Sequence, residues 1–290
     1  MLAVGAVALP SSVTAQDAAT TPTDRATIVV TGRSKAEKER VSAAVRAMAQ
    51  QRDRNEPVGR FAAPICFATA GLPQDLLASI ADRVIADAQL AGLQLAGDGC
   101  RPNLLLIFVN DGRADMDWLR TKHSDWFWRM DLADIHRIVE EPGPVHVFTA
   151  SEIVSRDGER MSVDPQTDVP QLNVSISSNI VLPVRRDIQA SIMLIDRVAV
   201  PGRTAIQIAD YAALRTLAMI RPQPVQGIDT IMSLFNPTSA SPPAEMTAFD
   251  RGYLKALYAG AGNERATLKL DRIASTIVAE RAAEVGPDRP

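Results

Sequence analysis

Several things are scarce or missing in this 290-residue sequence. No apolar run approaches the roughly 20 residues that a bilayer-crossing helix needs, so no transmembrane segment is expected. There is no surplus of positive charge: 31 Lys and Arg stand against 34 Asp and Glu, for a net charge of -3. A chain without a basic face has nothing with which to neutralise phosphates, which argues against a nucleic-acid partner. Glycine-rich phosphate loops, dinucleotide fingerprints and the Gly-x-Ser-x-Gly nucleophile elbow are all absent. The three histidines, His123, His136 and His146, are spaced like no metal motif, and each is expected at the surface or hydrogen-bonded near a helix end or strand. The two cysteines lack the Cys-x-x-Cys spacing of zinc or redox sites. The acidic pair Glu140-Glu141 reads as solvated. No metal site and no cofactor are expected.

What is present begins with the first nine residues, which are almost wholly apolar. Val13-Thr14-Ala15 then places small residues at the -3 and -1 positions of a cleavage site. Residues 1–15 therefore read as a secretory signal whose positive n-region is missing, followed by a flexible segment over 16–34. Export to the periplasm or the exterior suits the cysteines: Cys66 and Cys100, each at the edge of an expected strand, are expected to pair there.

Residues 35–290 read as one α/β domain of alternating strands and helices. A β-prone run occupies 28–32 and a charged helix 35–52. A strand over 64–69 leads to a helix from Pro73 to about Leu90. Residues 104–109 (Leu-Leu-Leu-Ile-Phe-Val) form the clearest buried strand, stopped by Asn110-Asp111-Gly112. Helices near 114–123 and 131–140 flank an aromatic cluster (Trp118, Trp126, Phe127, Trp128), which reads either as a core corner or as an exposed patch for a partner. A strand over 145–149 and a loop or hairpin over 155–171 come next. Then follow a strand over 188–200, a helix over 203–220, a Pro- and Ser-rich loop over 236–244, and two helices near 247–259 and 264–284.

The order within 192–259 carries a resemblance. A strand passes through Pro201-Gly202 into a helix. Asp229-Thr230-Ile231-Met232 and a Pro-rich loop follow, then a helix that opens at Phe249-Asp250 and closes at Leu257-Tyr258. This resembles the second half of a metzincin-type metallopeptidase, with its helix His-Glu-x-x-His-x-x-Gly-x-x-His, a Met-turn and a further helix. In that motif two His four apart lie about 40° apart around the helix axis and reach one Zn²⁺, while the Glu acts as base on the metal-bound water. Aligned without a gap, Ala209, Ala213 and Met219 stand at the three His positions, Asp210 at the Glu, Thr216 at the Gly and Met232 at the Met-turn. Alanine has no lone pair and a thioether is a poor Zn²⁺ ligand. The resemblance therefore implies a zincin-like mixed sheet packed against helices, emptied of its metal: a non-catalytic envelope protein. The chain also resembles exported proteobacterial proteins in which Ala-Asp-Tyr-Ala-Ala-Leu-Arg recurs.

On this reading Asp210, Tyr211, Arg215 and Met232 either brace the helix against the sheet or line the old cleft. A peptide or envelope protein would be the partner, with Arg215 taking a carboxylate. The alternative is a hydrolase or metallopeptidase with non-standard ligands, His123, His136 or His146 joining Asp196 or Asp210 in three dimensions.

Overall fold

The computed structural model describes residues 23–49, 53, 55–127, 130, 132–167, 169–172, 181–223, 225, 227–239 and 241–285. The expected signal segment 1–15 lies outside them, as does Trp128. The chain divides into two units between Glu37 and Lys38. In the first, residues from Thr23 onward are helical, and the helix α1, Thr23–Met48, continues into the second. The run 28–32 is thus helical rather than extended. Its β-branched residues cost a few tenths of a kcal/mol each and Gly32 about 1, and a helix already nucleated next door extends for less than a new strand needs.

In the second unit the order is β1 (Arg60–Phe61), β2 (Phe67–Ala70), α2 (Gln74–Leu90), β3 (Leu104–Val109), α3 (Gly112–Lys122), α4 (Leu132–Val139) and β4 (Val145–Ser155). A small hairpin of β5 (Ser162–Val163) and β6 (Pro170–Gln171) follows, then β7 (Val184–Asp196), α5 (Ala205–Leu217), α6 (Ala248–Tyr258) and α7 (Ala266–Val285). β7 runs parallel to β3, which runs parallel to β2, and β1 extends the parallel pairing at Asp187 and Ile188. β4 pairs antiparallel with the other side of β7, with a bulge between Ala150 and Ser151. The sheet therefore reads β2–β3–β7–β4, mixed α/β, with β4 at the edge among the described residues.

Both sheet faces are covered, which is why β3 is apolar throughout. Leu104, Leu106 and Phe108 enter the main core with α1, α2, α5, α6 and α7. Leu105, Ile107 and Val109 pack on a second core of Met116, Phe127, Phe148, Ile192 and Leu194, beneath α3 and α4. The expected strand over 188–200 begins earlier and ends at Asp196, where the chain turns through Arg197–Ala199.

Cys66 and Cys100 form a disulfide, with Cα atoms 6.1 Å apart and a sequence separation of 34. It ties the chain just before β2 to the chain just before β3. Loop closure of that length is worth about 3–4 kcal/mol in the chain-entropy model. Replacing both cysteines by alanine should lower the melting temperature by roughly 10 °C, read by calorimetry at pH 7. A fall under about 2 °C would mean that the bridge adds nothing.

Candidate binding cleft

α5 is set by its start. Gly202, at φ 81°, turns the chain out of β7. Thr204 and Gln207 then form a capping box, each side chain bonding the other's backbone N–H. Every residue from 208 to 217 is buried. A helix buried all round must find partners for the polar side chains it carries, and the four in this stretch reach in different directions. Asp210, fully buried, accepts a fork from Arg83 of α2 at 2.6 and 3.0 Å and the backbone N–H of Met246. Thr216 donates back to the Ala212 carbonyl at 2.6 Å. Tyr211 meets Phe235 edge-on, ring centroids 4.8 Å apart. Arg215 is only 2% exposed and pairs with Glu141 through Nη2.

A cavity of about 950 Å³ lies against the C-terminal end of α5. Its floor holds Arg215, Ala218, Met219 and Tyr253, one wall is β4 from Val147 to Glu152, and Trp126 and Met130 stand beside it. α5 stops at Leu217, and Met219 adopts φ 49°, a left-handed conformation that turns the chain beneath the cavity.

Four ion pairs stand around this cavity. Arg186 bonds Glu56 at 2.6 Å, Arg137 meets Asp134 at 2.6 Å, Arg160 meets Glu152 at 3.3 Å, and Arg215 holds Glu141. Among the described residues that line it, five arginines face five carboxylates, Glu140 being the fifth, and the cavity as a whole is close to charge-balanced. Arg221 makes no ion pair among the described residues, and burial together with repulsion from Arg137 holds its pKa below the usual value. Arg215 is more deeply placed. Burial opposes its charge, but Tyr211 and Glu141 outweigh that and its pKa is raised. Its Nε and Nη1 find no hydrogen-bond acceptor among the described residues, and neither does the buried Tyr253 hydroxyl. Burial pushes the Tyr253 pKa up, so the group remains a neutral donor.

Of the residues expected to line a cleft, only Arg215 does. Asp210 points toward α2, and Tyr211 and Met232 lie in the main core. Ala209 and Ala213 are fully buried in that core and absent from the cavity wall, whereas Met219 lines it. The helical period explains the split. Successive residues advance about 100° around the axis, so Ala213 and Arg215 face nearly opposite ways. The gapless alignment thus puts its two alanines on the side of α5 away from the cavity.

Glu141 is a correction. It reads as solvated in the sequence, yet its side chain is 17% exposed and neutralises a buried arginine, while Glu140 is 63% exposed and meets His136 at 3.5 Å. Only the fold brings Glu141 and Arg215 together, 74 residues apart. Tyr253 and Arg221 carry no sequence signal that marks them.

The histidines are scattered. His123 stacks on Trp126, centroids 4.8 Å apart, and meets Trp118 at an edge. His146 is buried, its Nδ1 has no partner among the described residues, and burial lowers its pKa. No group of three or more His, Cys, Asp or Glu able to hold a metal ion occurs among the described residues. The aromatic cluster is split: Phe127 is core, while Trp118 and Trp126 are 53% and 40% exposed. Among the described residues no helix is long and apolar enough to cross a membrane. Compared with protein-family models, curated proteins and solved structures, the chain matches none.

Proposed function

We propose that this is a periplasmic or secreted binding protein on a zincin-like scaffold, non-catalytic, whose cavity beneath β4 holds an extended peptide. The observation that carries the reading is the cavity itself: a large space of mixed polar and apolar lining between β4, an antiparallel edge strand among the described residues, and the end of a buried helix, with arginines at its floor. Strand order supports the scaffold. An antiparallel edge strand sits beside the strand that leads into α5, and a turn at Met232 and the capped helix α6 follow. Asp250 ties these last two together, accepting from Ile231 N–H at 2.8 Å and Thr247 N–H at 2.9 Å.

A register two residues beyond the gapless alignment brings two of the three His positions to the cavity, while the first stays in the main core. The His-x-x-x-His pair then falls on Tyr211 and Arg215, the Gly on Ala218, where α5 has just ended, and the third His on Arg221. Guanidinium groups are cations without a free lone pair and repel a metal ion, so this register exchanges a cation site for an anion site. The disulfide is consistent with an extracytoplasmic fate. Peptide would add to β4 by backbone pairing, its side chains alternating into the cavity.

A bead-bound library of synthetic hexapeptides tests this. Retained sequences should slow hydrogen exchange at the outward amides between Val147 and Glu152 by about tenfold or more. Retention with unchanged exchange at β4 would defeat the strand-addition model. Cleavage of the hexapeptides once zinc is added would favour the hydrolase reading instead.

A further inference from the structure

We propose that the floor of the cavity is a carboxylate site, formed by the Arg215 guanidinium, the neighbouring Arg221 and the Tyr253 hydroxyl. This rests on the cavity being a binding cleft and names what that cleft selects.

Three observations meet there. Arg215 keeps Nε and Nη1 without a hydrogen-bond acceptor at normal distance among the described residues although its side chain is only 2% exposed, the Tyr211 hydroxyl standing near enough to stabilise its charge. Leaving charged donors dry and unpaired costs free energy that a native fold rarely tolerates without a use. Tyr253, on α6, places a second unsatisfied donor at the same cavity. The hydroxyl is fully buried, so no bulk water serves it. Arg221 adds a positive charge that makes no ion pair among the described residues, within reach of the fields of Asp134 and Glu141 and close enough to Arg215 for the two to repel. Every other arginine on the wall has its own carboxylate within ion-pair distance. A group that ended both shortages at once would be anionic and compact, with at least two acceptor oxygens. Nη1 carries two N–H donors and Tyr253 one O–H, a set that matches a planar carboxylate. Glu141 already occupies the Nη2 side, so the ligand approaches from the opposite edge of the guanidinium and leaves that pair intact.

A carboxylate on an extended peptide has two sources, the chain terminus or an acidic side chain. Calorimetry at pH 7 separates them with acetyl-tetra-alanine bearing a free carboxylate, the same peptide amidated, and acetyl-Ala-Ala-Glu-Ala-amide. Acetate and inorganic phosphate are run alone. We expect at least one acid peptide to bind, and the amidated alanine peptide to bind about tenfold more weakly or worse. Arg221→Gln should weaken the acid peptide about tenfold, and Tyr253→Phe about threefold. Neither variant should unfold, because neither side chain has a hydrogen-bond or ion-pair partner among the described residues to lose and phenylalanine keeps the Tyr253 ring in the core, so Tyr253→Phe should melt no lower than the parent. That combination is not what a purely structural role gives.

The results sort cleanly. Equal binding of amide and acid keeps the peptide cleft and overturns the carboxylate site. Acetate binding that both variants weaken, with no peptide bound, keeps the site and overturns the peptide reading. Phosphate binding alone overturns the carboxylate class. Acid peptides that bind both variants like the parent place the contact elsewhere and overturn the proposal, as does binding of no probe.

Discussion

Asp210→Ala is expected to destabilise the fold by about 3 kcal/mol, a drop of roughly 6–12 °C in melting temperature. The carboxylate is fully buried and accepts three hydrogen bonds, two from Arg83 and one from the Met246 N–H. Removing it takes from Arg83 the nearest of its three carboxylates, the one that accepts its fork, and leaves a buried amide unpaired. The figure sits at the low end for a broken buried pair because Arg83 is 31% exposed, so water recovers part of its solvation. Asp210→Asn should cost less, since it retains an acceptor for Met246. Urea unfolding at pH 7 measures both, and a cost under 1 kcal/mol for the alanine variant would show that this residue does not pin α5 to α2.

The second large effect is on pH dependence, and it comes from the same cluster. Arg83 is one cation facing three carboxylates: Asp210 at 2.6 Å, Asp87 at 3.6 Å and Glu245 at 3.4 Å. Hydrogen bonds serve Asp210, whereas Asp87 Oδ2 has no partner among the described residues. Burial, and then the charge of Asp210, push Asp87 from 3.8 to about 8. The folded protein therefore holds a proton that the unfolded chain has released. The stabilisation this gives is full below about pH 4 and is lost as pH rises to about 8. Burial likewise raises Asp250 to about 6 against its hydrogen bonds, with the same sign over a narrower window. His146, its pKa lowered, acts oppositely below about pH 6.5. Asp87→Asn should leave those contributions in place and remove only its own, so the variant gains on the parent as pH rises from 4.5 to 7.5. Parallel stability curves for the two proteins over that range would refute the assignment.

The pairing of Asp210 with Arg83 also shows where reading the chain reached its limit. The helix over 203–220 is legible from its Pro-Gly start, its apolar density and its Pro stop, and α5 forms within it. Which way Asp210, Tyr211 and Arg215 point is not legible, because a helix buried on every side has no polar stripe to orient it. The motif alignment chose a face by spacing alone, and the cavity lies on the other one. The edge strand illustrates the same limit. The stretch 145–149 is apolar enough to mark as a strand, but its continuation through the bulge to Ser155 follows from pairing with β7.

Composition and pattern alone determined the class of this protein: alternating elements, a doubly covered strand at Leu104–Val109, a cysteine pair at strand edges, and no basic face. These are local properties, set by what each segment must bury. The cavity, the buried Arg215–Glu141 pair, the place of β4 at the sheet edge and the lack of a partner for the Tyr253 hydroxyl among the described residues arose only when distant segments packed together. Burial and hydrogen-bond shortage belong to pairs of residues far apart in the chain, and a linear order holds no record of them.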